Sequence, residues 1–62
     1  MTAKQLEKML KDAGWYFDRQ KGSHRIYKHK HIRGIVVIPF HGSKDLPEGT
    51  LNSIMKKAGI KK

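Results

Sequence analysis

Four histidines, at positions 24, 29, 31 and 41, are the residues of this chain best suited to moving protons at neutral pH. His24 follows a Gly22-Ser23 pair, and Arg25, Tyr27 and Lys28 come just after it. A histidine at the lip of a basic face can exchange a proton with a ribose 2′-hydroxyl or with a leaving 5′-oxygen. Cations beside it would stabilise charge building on phosphoryl oxygens, and they would also disfavour the imidazolium. On residue chemistry alone, a plain surface histidine on a basic RNA-binding strand accounts for the same pattern. His29 and His31 form H-x-H; on a strand the two share a face and can bind a metal. The pattern places no third ligand, so a solvated turn and no metal site are expected there. His41, after Pro39-Phe40, either ties down its loop or touches RNA.

The neighbours of His24 have two readings each. Gly22-Ser23 can offer backbone N–H groups and a hydroxyl to a phosphate, or simply turn the chain. Tyr27 can stack on a base or pack in the core. The five carboxylates are Glu7, Asp12, Asp18, Asp45 and Glu48, and no two are spaced for paired acid–base work. Glu7 and Asp12 read as solvated helix positions, and Asp45 and Glu48 as partners of a helix N-terminus. The chain has no Cys, which leaves no thiolate nucleophile, disulfide scaffold or Cys-type zinc site.

Charge widens the field before it narrows it. Fourteen Lys+Arg against 5 Asp+Glu give +9, which points to a polyanion: nucleic acid, an acidic protein or an anionic membrane face. The longest apolar run, Ile35-Val36-Val37-Ile38, is far short of the ~20 residues of a membrane span. No apolar stretch near Met1 suggests a secretory signal, so a cytoplasmic protein is expected. Sixty-two residues fit one domain, 1–62, and exclude large nucleotide-binding enzymes. Size scaling allows about 6,300 Å² to be buried. If about 60% of that is apolar, it contributes about 95 kcal/mol, against about 93 kcal/mol for ordering the chain. The domain is marginal, and a tight partner would stabilise it by mass action.

The elements that must position these residues are legible from spacing. Thr2 and Gln5 form a capping-box pattern, and Leu6, Met9, Leu10 and Ala13 draw an apolar stripe at helical spacing. Gly14 suits the left-handed residue after a helix, with Trp15 folding back onto it. Leu51, Ile54, Met55 and Ala58, followed by Gly59 and Ile60, repeat the grammar. Pro47 suits the first turn of that second helix. Between the helices lie three strand segments: 15–20, 24–29 and 35–38. Lys21-Gly22-Ser23 and Lys30 to Gly34 are the turns, and Phe40 to Leu46 is irregular. The expected fold is α+β: α-β-β-β-α, a three-stranded antiparallel sheet with two helices on one face, the order of double-stranded RNA-binding domains. The other sheet face is then free, and Arg25 and Lys28 are expected around His24 on it.

Ordered motifs along nearly the whole chain carry a family resemblance. They are Leu6…Leu10…Gly14-Trp15, Gly22-Ser23-His24 with Tyr27-Lys28, Ile38-Pro39…His41, Lys44-Asp45-Leu46, Gly49-Thr50-Leu51, and Ile54…Ala58-Gly59-Ile60. The chain resembles the HicA toxins, small mRNA interferases of bacterial and archaeal toxin–antitoxin pairs. His29 is followed by Lys30 where that family commonly has His-Pro, so this link can differ in shape. The resemblance implies a fold like a double-stranded RNA-binding domain and endonucleolytic cleavage of mRNA without a cofactor. It makes His24 the catalytic residue. Gly22, Ser23, Arg25, Tyr27, Lys28 and, more weakly, Lys44 are the candidate RNA-binding set. It also implies a HicB-like antitoxin as protein partner, and no membrane or small-molecule partner. The runner-up is a non-catalytic RNA-binding module of the same fold. A third reading is an interaction protein that meets only an acidic partner.

Overall fold

A computed structural model describes residues 1–60; the Lys61-Lys62 pair lies outside the described residues. The capping box forms as the sequence leads one to expect. The Gln5 N–H donates to Thr2 Oγ1 at 3.2 Å, the Thr2 N–H donates to Gln5 Oε1 at 2.9 Å, and helix α1 runs Ala3–Asp12 behind them. Its buried face is Ala3, Leu6, Glu7 and Leu10, while Met9 is half-buried and Ala13 exposed. The stripe is therefore rotated from the expected one, and the position it gains is a carboxylate.

Strands β1 (Trp15–Lys21), β2 (His24–His29) and β3 (Ile35–Pro39) form an antiparallel sheet in the order β1-β2-β3, and helix α2 spans Glu48–Ala58. The strands are those expected, each within a residue or so at its ends. Both helices pack on one face of the sheet. Leu6 and Leu10 of α1, and Leu51, Ile54, Met55 and Ala58 of α2, meet Trp15, Tyr27, Val36 and Ile38 in a single core. This is the architecture of a double-stranded RNA-binding domain.

Trp15, two residues past the end of α1, is buried in the core that Leu6 and Leu10 of that helix also line. Its indole N–H crosses the core and donates to the Ala58 carbonyl at 3.2 Å, joining the start of the sheet to the last turn of α2. That carbonyl is one of the four a helix end leaves without an internal partner. Gly59 takes the left-handed conformation after it, at φ 73°, and the Ile60 N–H reaches back to the Met55 carbonyl at 2.9 Å. Pro47 stands just before α2 rather than in its first turn. Asp45 bridges to Thr2 across the domain instead of serving that helix.

Gly14 shows why the turn after α1 has no side chain. Its φ is +96°, and a Cβ there would lie 2.7 Å from His29 Nε2. Gly14→Ala is expected to destabilise the domain by at least about 1–2 kcal/mol, the usual strain of a left-handed L-residue. A lower urea midpoint with an unchanged slope would register it.

Candidate functional site

Strand alternation decides which residues face the helices and which face away. The register pairs Lys21 with His24 and Pro39, Arg19 with Ile26 and Val37, and Tyr16 with Lys28 and Ile35. Partners directly opposite on adjacent strands share a face. These three rows make up the face away from the helices. The register slips between Phe17 and Arg19, leaving Asp18 in a bulge. Without that slip Arg19 and Lys21 would point to the core. The bulge turns both toward the open face and parks the Asp18 carboxylate between Arg19 (2.5 Å) and Lys28 (3.8 Å).

His24 opens β2 at one end of this face and is exposed. The two-residue turn before it has Gly22 at φ 59°, the residue a tight hairpin wants at its first position. The turn is held from both sides. Gln20 Nε2 donates to the Gly22 carbonyl at 2.9 Å, and the Phe40 N–H donates to the Ser23 carbonyl at 2.7 Å. The second bond brings the end of β3 against the turn, so His41, exposed, follows directly after an anchored residue. The Lys44 N–H donates to the His41 carbonyl at 3.3 Å, and its side chain is exposed in the same loop. Gly22, Ser23 and His24 thus sit at the hairpin tip, with Lys28 on the same face four residues along.

Arg25 and Tyr27 do not join them, and here the expectation is corrected. Both point to the helix side, because residues one and three along a strand from His24 alternate away from it. Tyr27 is fully buried and its hydroxyl donates to Glu7 Oε2. It cannot stack on a base without unfolding the core. Arg25 Nη1 donates to both Glu7 oxygens, at 3.0 and 3.1 Å, and its guanidinium lies 4.1 Å from the centre of the Phe40 ring. Arg25 is therefore a clamp between α1 and the start of the loop after β3, rather than a phosphate ligand beside His24. Burial, then the hydrogen bond to Glu7 and its charge, push the Tyr27 phenol well above its ordinary range, against a smaller lowering by Arg25.

Glu7 is the residue sequence reasoning missed. It was expected in solvent and is 5% exposed. A signal was present: Ala3, Leu6, Glu7 and Leu10 keep the i, i+3, i+4, i+7 spacing of a buried stripe, with an acid in it. A buried acid needs partners, and Arg25 and Tyr27 share one face of β2 at i and i+2.

His29 also faces the helix side. It packs edge-on against Trp15 at 5.2 Å, its Nε2 is 3.1 Å from the Ala13 carbonyl, and its Nδ1 accepts the His31 N–H at 3.0 Å. Both ring nitrogens are engaged within the protein. H-x-H thus closes the β2–β3 link onto the end of α1.

An antiparallel α-β-β-β-α chain with both helices on one sheet face is an α+β protein of double-stranded RNA-binding-domain-like fold. A comparison with curated proteins returned no match. The family model for the HicA toxin of bacterial toxin-antitoxin matches residues 3–60, nearly the whole chain. The chain belongs to this HicA toxin family. It is a toxin of a toxin–antitoxin pair, and an antitoxin is its natural counterpart. No helix among the described residues is long and apolar enough to cross a membrane.

Proposed function

We propose that this toxin is an endoribonuclease that cleaves mRNA with His24 as its catalytic residue, and that a HicB-like antitoxin restrains it by covering the same face. The observation that carries the reading is the exposure of His24 on a basic face that no helix covers. The free toxin works in the cytoplasm, where mRNA is translated, and its action there stops growth.

The chemistry is an internal transfer. The 2′-oxygen attacks the adjacent phosphorus, the bond from phosphorus to the 5′-oxygen breaks, and the product ends in a 2′,3′-cyclic phosphate. His24 either takes the proton of the 2′-hydroxyl or gives one to the leaving 5′-oxygen. It cannot do both in one step, so the second role falls to water or to another residue of the chain. Lys21, paired with His24 on the same face, offsets charge building on the phosphoryl oxygens, with Lys44 in the adjoining loop, while Lys28, further along the strand, meets a neighbouring phosphate. Gly22 and Ser23 hold the hairpin tip that presents His24. Arg25 and Tyr27 contribute by fixing β2 against α1.

The mechanism requires a 2′-hydroxyl. An RNA oligonucleotide should be cut in the presence of chelator, and the same sequence with 2′-deoxy sugars should stay intact. Cleavage of the deoxy strand would overturn internal attack. A protein that binds RNA and never cuts it would support the non-catalytic module.

A further inference from the structure

The far end of the open face is built differently from the end at His24. Tyr16, Lys28 and Ile35 form one cross-strand row there, and the link from Lys30 to Gly34 borders it. Together they line a groove of about 560 Å³. Of the five aromatic side chains, Trp15, Phe17, Tyr27 and Phe40 lie on the helix side. There Trp15 and Tyr27 are buried, Phe40 packs on the core, and Phe17, as exposed as Tyr16, sits edge-on to Tyr27 at 5.8 Å. Tyr16 alone lies on the open face, 45% exposed. Around it stand Lys28, Lys30, His31 and Arg33, and among the described residues neither Lys30 nor Arg33 has a carboxylate partner.

An exposed ring beside unpaired cations is the arrangement that binds single-stranded nucleic acid. The ring stacks on a base, and the cations track the phosphates. Lys28 lies four positions along β2 from His24, about 13 Å along the strand. We infer that this groove is an RNA-binding subsite, with one unpaired base stacked on Tyr16 and neighbouring phosphates on Lys28, Lys30 and Arg33. It holds single-stranded RNA so that a bond a short distance along lies at His24. This rests on the RNA-cleaving reading above and adds its substrate class. A duplex keeps its bases stacked on one another and offers none to Tyr16.

The test uses His24→Ala protein, so that RNA survives, and measures binding of a labelled single-stranded oligonucleotide across a salt series. Adding Tyr16→Ala should weaken binding about 5- to 150-fold, the range of one base stacked on an aromatic ring. Adding Tyr16→Phe should restore most of it. Lys30→Gln and Arg33→Gln should each lower the salt slope by about 0.7, the value for one phosphate on a single strand. In protein that retains His24, Tyr16→Ala should raise KM for a long RNA by more than it raises KM for a dinucleotide, which is too short to span from His24 to the groove.

A folded Tyr16→Ala protein with unaltered RNA affinity overturns the subsite. So does a variant that keeps its RNA affinity and loses only affinity for an antitoxin, because the groove would then be a protein-docking surface. His24-dependent cleavage with indifference to Tyr16 overturns the subsite and leaves the nuclease reading standing. Tyr16-dependent RNA binding without any cleavage supports the subsite and removes the nuclease.

Discussion

His24→Ala is expected to abolish RNA cleavage and growth arrest while leaving the protein folded. A positioned acid or base contributes roughly 10²–10⁴ in rate, and that is the loss expected in cleavage. The control is structural. His24 is exposed, and surface substitutions of this kind usually change stability by less than about 0.5 kcal/mol. Thermal melting of the variant should therefore overlay the parent, and RNA binding should persist because Lys28 and the Tyr16 groove remain. Arrest of growth by a well-folded His24→Ala protein would remove the catalytic assignment. His24→Gln serves as a second check, since it keeps a hydrogen-bonding side chain without an ionisable one.

Glu7→Ala is expected to do comparable damage by another route. Glu7 is buried and receives hydrogen bonds from Arg25 and Tyr27. Removing Glu7 strands the buried Tyr27 hydroxyl and a part-buried Arg25, 31% exposed, so the loss lies at or below the lower end of the about 3–5 kcal/mol of a fully buried pair. A 62-residue domain has little more than that to lose. The variant should be largely unfolded at 37 °C and non-toxic with His24 untouched. Glu7→Gln, which keeps an acceptor for the tyrosine, should fall between. Replacing the whole network together, Glu7→Leu with Arg25→Met and Tyr27→Phe, should recover much of the stability, because apolar groups of similar size often replace buried ion pairs without loss. Far-UV circular dichroism with urea titration reads all three. A Glu7→Ala protein as stable as the parent would show that the network contributes nothing to the fold.

The two experiments separate the faces of one strand. Loss of toxicity with a native melt belongs to the open face, whereas loss of toxicity with a lost melt belongs to the covered one. Arg25 and Tyr27 fall in the second class despite standing between His24 and Lys28 in sequence. The antitoxin enters here as well: a partner that binds only the folded toxin stabilises it in proportion to its concentration. Glu7→Ala protein should be rescued in fold by such a partner before it is rescued in activity.

Much of this molecule was legible from spacing. The capping box at Thr2 and Gln5, the strand at His24–His29, the αL glycine at 59 and the α-β-β-β-α order all follow from local chemistry, and local chemistry is what a sequence displays. The Gly22-Ser23-His24 motif marked the hairpin tip for the same reason. Position on a face was harder to read. Period-2 alternation already separates His24 and Lys28 from Arg25 and Tyr27, but their shared cationic or aromatic character invited them into one site. For β1 alternation holds from Trp15 to Phe17 and fails beyond, because the bulge at Asp18 shifts the parity and no residue type announces it.

What the sequence determined by itself is the inventory: a small, basic, Cys-free chain with two capped helices, three strands and a histidine after a tight turn. Its excess of positive charge drew attention to an anionic partner and could not say where that partner would lie. The tertiary structure decided the location. Packing both helices on one face committed Glu7, Arg25, Tyr27 and Trp15 to the interior and left His24, Lys28 and Tyr16 outside. The reason is physical. A buried carboxylate is tolerable only where a guanidinium and a hydroxyl from another element converge on it, and that convergence exists only once α1 lies across β2.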